Sequence, residues 1–299
     1  MSIKGKNGSR NWIFLGDSLT EGIGSQRHSH VTELVSQLRS AQTNGHERFE
    51  VHLMRMRRVD PEGFDRFIKF NMAGFLDVDE DNSGPPLWVW NLASEGQTIE
   101  TDIFWLPLLV NLRPELIVLF RGSLESIIRP AMLKDSSWPS WVPKGWRGCV
   151  AMDPRCYFSS TWWRRTKQTT VDRIKQSTRK RLLSRRPGVP LMDASTLITH
   201  YEELLKKLRP LESRILLLGL LSPDSNTFPG SPENFAYING ELSALAKRNG
   251  VEFLDWGRTL FSDHRSDELF YRDGFHPNPT GCGVLAEVLA EYLETDSKN

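Results

Sequence analysis

Short apolar runs recur along the chain at Trp12–Leu15, Leu87–Leu92, Leu116–Phe120, Ile215–Leu220 and Val251–Leu254. Runs of this length, bounded by polar or turn residues, predict strands buried on both faces. A sixth segment, Phe49–Met54, alternates more and is a weaker strand candidate. Helical spacing fills the intervals. Val31, Leu34, Val35 and Leu38 share one face, and the same period runs through Leu197–Leu208 and Phe235–Lys247. A last helix is predicted from Pro279, with Val284, Leu285, Val288, Leu289 and Tyr292 on its apolar stripe. Asn278 is suited to cap it, and Pro279 to its first position. Strands alternating with helices predict βαβ units and a parallel sheet covered on both faces.

Two stretches interrupt this rhythm. Residues 55–86 carry Phe64, Phe67, Phe70 and Phe75 and then the acidic run "DVDEDNSGPP". That run fails the calcium-loop pattern: no glycine stands sixth from Asp77, and Trp88 stands twelfth. A solvated loop is expected. Residues 129–190 hold Trp138, Trp141, Trp146, Trp162 and Trp163, then a basic stretch from Arg164 to Arg186. With no repeat and no low-complexity linker, the expectation is one domain over 1–299 with insertions at 55–86 and 129–190.

Composition narrows the class. The chain has 299 residues, 39% hydrophobic and 25% charged, with a net charge of +1. These values fit an ordinary globular protein and give no global pull toward nucleic acid or membrane. No apolar run reaches transmembrane length, and the first residues lack an apolar signal core. A cytoplasmic, reducing compartment is the expectation. Cys149, Cys156 and Cys282 form neither a disulfide framework nor a metal spacing. Free thiols are expected, with a Cys149–Cys156 bridge as the alternative; no metal and no cofactor are implied.

The chemistry lies at the strand ends, where open parallel sheets build their sites. The first strand ends in Gly16-Asp17-Ser18-Leu19, the second in Asn91-Leu92-Ala93-Ser94-Glu95-Gly96, and the third in Arg121-Gly122-Ser123-Leu124-Glu125. Near the C-terminus, Asp273 precedes His276 by three residues in "YRDGFHPN". A serine hydroxyl needs an adjacent base, and imidazole has the pKa range for that work. Asp273, in a turn bounded by Gly274, can reach His276 Nδ1 and leave Nε2 facing outward. Ser18, Asp273 and His276 thus form a Ser-His-Asp set in the chain order Ser, Asp, His. Ser18 at a strand-to-helix turn can offer its own N–H to an oxyanion, with Gly16 permitting the turn. Gly96 lets a second N–H approach the same point.

On these residues the sequence resembles the SGNH/GDSL hydrolase superfamily. "GDSLTEG" matches the first block, with Ser18 as nucleophile and oxyanion donor. "NLASEG" resembles the second, with Gly96 as the next donor, and "RDGFHPN" matches the fifth, with Asp273 and His276. The resemblance spans residues 13 to 280. It implies a three-layer α/β/α sandwich with a flavodoxin-like, parallel five-stranded sheet, and metal-independent esterase or acyl-hydrolase activity through an acyl-serine intermediate.

The third block departs from the family. It is normally G-x-N-D, with the asparagine as third oxyanion donor, whereas this chain has Gly122-Ser123-Leu124-Glu125. Loss of one such donor typically costs about 3–4 kcal/mol of transition-state stabilisation. Ser123, Arg121 or an insertion residue are candidate substitutes. Otherwise two donors serve an activated ester, or the site binds without turnover. Asp17, Gly122 and Glu125 are expected to support the loops. The expected substrates are a small-molecule ester, an acylated sugar or an acyl thioester. Acyl transfer from an ester or thioester and a catalytically impaired binding protein are the alternatives. The tryptophan-rich insertion is either a lid over the site or a small core of its own. The ten Lys/Arg between Arg164 and Arg186 face a single Asp172. A solvated face is the plain expectation, and docking of coenzyme A, an acyl-carrier protein or an anionic surface is the alternative. No nucleic-acid motif is present.

Overall fold

In a computed structural model the described residues are 10–21, 49–53, 87–93, 96–131, 138–147, 151–156, 159–185, 187–258 and 266–295. The expected Val31–Leu38 helix, the insertion at 55–86 and Cys149 lie outside them.

The six predicted strands form, together with two short unpredicted ones. In chain order they are β1 (Arg10–Gly16), β2 (Phe49–Leu53), β3 (Leu87–Asn91), β4 (Leu116–Phe120), β5 (Arg129–Pro130), β6 (Gly188–Val189), β7 (Arg214–Leu218) and β8 (Glu252–Leu254), β5 and β6 being the unpredicted two. Six of them make one sheet in the order β2-β3-β1-β4-β7-β8, and every pairing within it is parallel. Without β2, the order is that of a flavodoxin-like sheet, so the expected topology holds. The strand count is six, not five, because the alternating segment at Phe49 joins as an edge strand. β1 lies centrally, with Ile13 and Leu15 wholly buried, and all of β4 is buried. A strand covered on both faces cannot alternate, which is why these elements read as continuous apolar runs.

Helices flank the sheet in a three-layer arrangement. The α-helices among the described residues are α1 (Ser18–Glu21), α2 (Leu106–Leu112), α3 (Ser123–Ser126), α4 (Trp162–Leu183), α5 (Ala194–Leu208), α6 (Ser231–Asn249), α7 (Ser266–Leu269) and α8 (Pro279–Thr295). α5 starts where Asp193 accepts the Thr196 N–H at 2.9 Å, and it buries Leu197, Tyr201, Leu204, Leu205 and Leu208. Each such leucine contributes roughly 1.5–3 kcal/mol by leaving water. α8 is capped as expected: Asn278 Oδ1 accepts the Gly281 N–H at 3.0 Å.

β5 and β6 pair antiparallel outside the main sheet. They bring the two ends of the 129–190 stretch together, so the chain leaves and returns at one point. Within that stretch Val142, Met152 and Leu182 form a second small core, against which Trp138 and Trp146 pack. Trp162 and Trp163 are instead exposed and lie edge to face. Most of α4 is solvated, as its charge predicts. Asp172 and Arg179 are exceptions, both buried and ion-paired.

Candidate active site

The end of β1 is shaped by two short-range devices. A Cβ on Gly16 would lie 1.9 Å from Thr20 Oγ1, so the glycine makes room for the first turn of α1. Asp17 Oδ1 accepts the Leu19 N–H at 3.0 Å, and the Asp17 carbonyl accepts the Glu21 N–H at 2.9 Å. Asp17 is thus a buried structural group, as expected for a residue that bonds its own backbone two positions on. Ser18 is left half-buried at the head of α1.

The turn before α8 is built in the same local way. Asp273 Oδ1 accepts the N–H groups of Phe275 at 3.0 Å and His276 at 3.1 Å. Asp273 Oδ2 lies 2.7 Å from His276 Nδ1. Gly274 holds φ +67°, and its Cβ would come within 2.6 Å of Asp224 Cβ, so the turn requires glycine twice over. The Gly274 carbonyl in turn accepts the Asp224 N–H at 2.8 Å.

The two turns meet. Ser18 Oγ lies 2.9 Å from His276 Nε2, across a separation of 258 positions in the chain. The buried carboxylate places the ring proton on Nδ1, which leaves the Nε2 lone pair for the serine O–H. Cys156 and Cys282 are both buried. Cys156, Asp273 and His276 offer ligand-type atoms within 4.8 Å of one another. Both ring nitrogens of His276 are already engaged, by Asp273 and by Ser18.

Ser18, Gly96, Leu124, Asp273 and His276 line one cavity of about 1020 Å³. Gly96 is exposed at φ +73°, and a Cβ there would meet nothing within 4 Å. Backbone conformation, not clearance, is therefore what demands glycine at this position. Gly122, at φ +98°, opens α3 against Leu197.

The candidate third donors fare differently. Ser123 is fully buried and is not on the cavity wall, where Leu124 stands instead. Arg121 is also buried, and its guanidinium is committed elsewhere. Nε donates to both carboxylate oxygens of Asp102, at 3.0 and 2.8 Å, and Nη2 closes the pair. Nη1 and Nη2 reach the Gln97 carbonyl at 3.3 Å and its Oε1 at 3.2 Å. Neither Arg121 nor Ser123 therefore offers a donor to the cavity in this arrangement.

Glu125 is bonded to the segment after Gly96. Its Oε1 accepts the Ile99 N–H at 2.9 Å. Arg121, just past β4, and Glu125, in α3, therefore tie down the segment that follows Gly96. Burial, and then the neighbouring Asp17 carboxylate, push the Glu125 carboxyl up to about 7. Burial likewise raises Asp17, against the N–H of Leu19 and the charge of Arg121. Sequence reasoning missed Asp102, Gln97 and Tyr201, whose O–H donates to the Arg121 carbonyl at 2.8 Å. None of these carries a local signal, since each partner comes from a different element.

No protein-family model matches this sequence, and no curated protein does. Solved structures do. A crystal structure of TesA aligns over 96% of this chain and 99% of its own, with TM-score 0.51 and 16% identity. The chain shares the fold of that structure. A mutant of Axe2, an acetyl-xylooligosaccharide esterase from Geobacillus, aligns over 97% and 95%, with TM-score 0.52 and 12% identity. EstA, a psychrotrophic esterase from Pseudoalteromonas sp. inhibited by monoethylphosphonate, aligns over 97% and 100%, with TM-score 0.51 and 11% identity. No helix among the described residues is long and apolar enough to cross a membrane.

Proposed function

We propose that this SGNH/GDSL-fold chain is a serine-dependent acyl hydrolase that cleaves esters through an acyl-Ser18 intermediate. The observation that carries the reading is the continuous contact from Asp273 through His276 to Ser18, at 2.7 and 2.9 Å. As Ser18 Oγ bonds to the ester carbonyl carbon, its proton passes to His276 Nε2. Asp273 stays ionised and holds the imidazolium. The N–H groups of Ser18 and Gly96 donate to the oxyanion, and two donors suit an activated carbonyl. The C–O bond to the alcohol then breaks, and the alcohol leaves with the proton from Nε2. Water, deprotonated by His276, attacks acyl-Ser18, and the acid is released with Ser18 reprotonated.

The lining of the cavity by Trp146, Cys156 and α4 supports a covering role for the 129–190 insertion. The esterases among the structural neighbours support the same reaction class, and an acylated sugar is one substrate to try. The reading is tested with a fluorophosphonate probe and an ester screen. Wild type is expected to be labelled and to release acid from aryl esters, and Ser18→Ala to do neither. Equal labelling of both proteins removes the nucleophile. Turnover only with an added alcohol or amine replaces hydrolysis by transfer, and labelling without any turnover replaces it by binding.

A further inference from the structure

The wall of the cavity built by the insertion carries an unbalanced charge. Arg129, Arg155, Arg164, Lys167 and Lys175 line the cavity, against Asp153, Asp172 and Asp273. Each of these carboxylates is already taken. Asp153 pairs with Arg129 and Arg179, Asp172 with Lys175 and Arg272, and Asp273 with His276. Arg155, Arg164 and Lys167 have no carboxylate partner among the described residues.

The surplus is also spatially organised. Arg164, Lys167, Gln168, Val171, Asp172 and Lys175 all line the cavity, and their spacing is that of a single face of α4. Arg155 reaches the same region from the loop before α4. The Lys175 ammonium is pushed down by burial, and then by the like charges of Arg155 and Arg272 against the pull of Asp172. Arg155 and Lys175 therefore repel one another across the cavity wall, and a bound anion would relieve that repulsion. Arginine with lysine is the usual chemistry for phosphate oxygens. The cavity is also at the upper end of ordinary ligand pockets, which run to about 1,000 Å³, so it has room for more than a short acyl ester.

We propose that Arg155, Arg164 and Lys167 form a phosphate subsite, so that the acyl ester presented to Ser18 carries a phosphate group. This rests on the hydrolase reading for the ester and on the cation cluster alone for the phosphate. The two ends of the substrate then meet different walls. Ser18 and His276 face the carbonyl, and the α4 wall faces the charged end of the molecule.

Binding and turnover are measured separately. Ser18→Ala protein is titrated calorimetrically with 1-butyrylglycerol 3-phosphate and with uncharged 1-butyrylglycerol. The phosphate ester is expected to bind at least about tenfold more tightly at low ionic strength, with the advantage shrinking as salt is added. Adding Arg164→Glu and Lys167→Glu should reduce that advantage to about twofold or less. Both positions are exposed near the N-terminus of α4, where glutamate suits the helix dipole, so the fold is expected to persist. Circular dichroism checks this, and Arg155→Ala provides a second variant outside the helix. S-butyryl-4′-phosphopantetheine against S-butyrylpantetheine tells whether the phosphate comes on a glycerol or a pantetheine arm.

Equal affinity for charged and uncharged partners in both pairs overturns the proposal, whether or not wild type hydrolyses them. Phosphate-dependent binding without Ser18-dependent turnover upholds the subsite and overturns the hydrolase reading. Binding to phosphatidylglycerol vesicles that depends on Arg164 and Lys167, with no preference among the soluble esters, assigns the cations to a membrane surface and also overturns it.

Discussion

Glu125 Oε1 accepts the Ile99 N–H at 2.9 Å, which ties α3 to the loop that begins at Gly96. A buried carboxylate thus holds the backbone whose N–H is proposed to meet the oxyanion. Removing it leaves a buried N–H without its partner, a loss of about 1–3 kcal/mol. Glu125→Ala is expected to lose about that much stability in urea melts and to lower kcat more than it raises KM. Glu125→Gln keeps an acceptor oxygen and should stay near wild type in both. An alanine variant with unchanged kcat would separate Glu125 from the Gly96 loop.

The same carboxyl gives stability a pH dependence. Its proton is held to about pH 7 in the folded chain, chiefly by burial, against an ordinary value of 4.5. The folded state therefore binds more protons than the unfolded state across that window, and stability falls as pH rises through it. The shift corresponds to about 3 kcal/mol. Urea unfolding at either side of the window should show a smaller fall for Glu125→Gln than for wild type. An identical fall in the two proteins would place the titration elsewhere.

Leu124 stands on the cavity wall where the family's third block has an asparagine, and neither Ser123 nor Arg121 substitutes for that donor here. Leu124→Asn is therefore expected to raise kcat on short aryl esters, by up to about 10²-fold if the amide reaches the oxyanion. A drop in kcat would mean that another group already occupies the donor position.

Gly96 and Gly274 both have positive φ, but their surroundings differ. Gly96→Ala meets open space and should cost only the backbone strain, about 1–2 kcal/mol. Gly274→Ala adds a collision with Asp224 next to the Asp273–His276 turn. It is expected to destabilise more and to lower kcat as His276 shifts. Equal effects on stability would show that the turn relaxes around the new methyl group.

Much of the architecture was legible because strands buried on both faces must be apolar throughout, as Leu116–Phe120 is. Asn278 before Pro279 marked a helix start for an equally local reason, a side-chain oxygen within reach of an N–H three residues on. Other features gave no such signal. The tryptophans of the insertion looked alike in sequence, yet Trp138 and Trp146 pack on a small core while Trp162 and Trp163 face solvent. Arg121 read in the sequence as a candidate substitute for the third oxyanion donor. Asp102, 19 positions away, instead takes its guanidinium into a buried ion pair.

The sequence by itself determined the pieces whose geometry closes within a few residues. These are Ser18 at the end of a buried strand, Asp273 bonded to His276 in one turn, and the capped start of α8. Hydrogen-bond reach and backbone dihedrals fix such units wherever the chain places them. Only the tertiary structure decided that β1 runs between β3 and β4, which sets Ser18 beside Gly96 and the Arg121–Glu125 segment. It also decided that His276 returns to Ser18 and that one face of α4 lines their cavity. Those meetings depend on strand order and on the burial of surfaces far apart in the chain, and no local pattern encodes them.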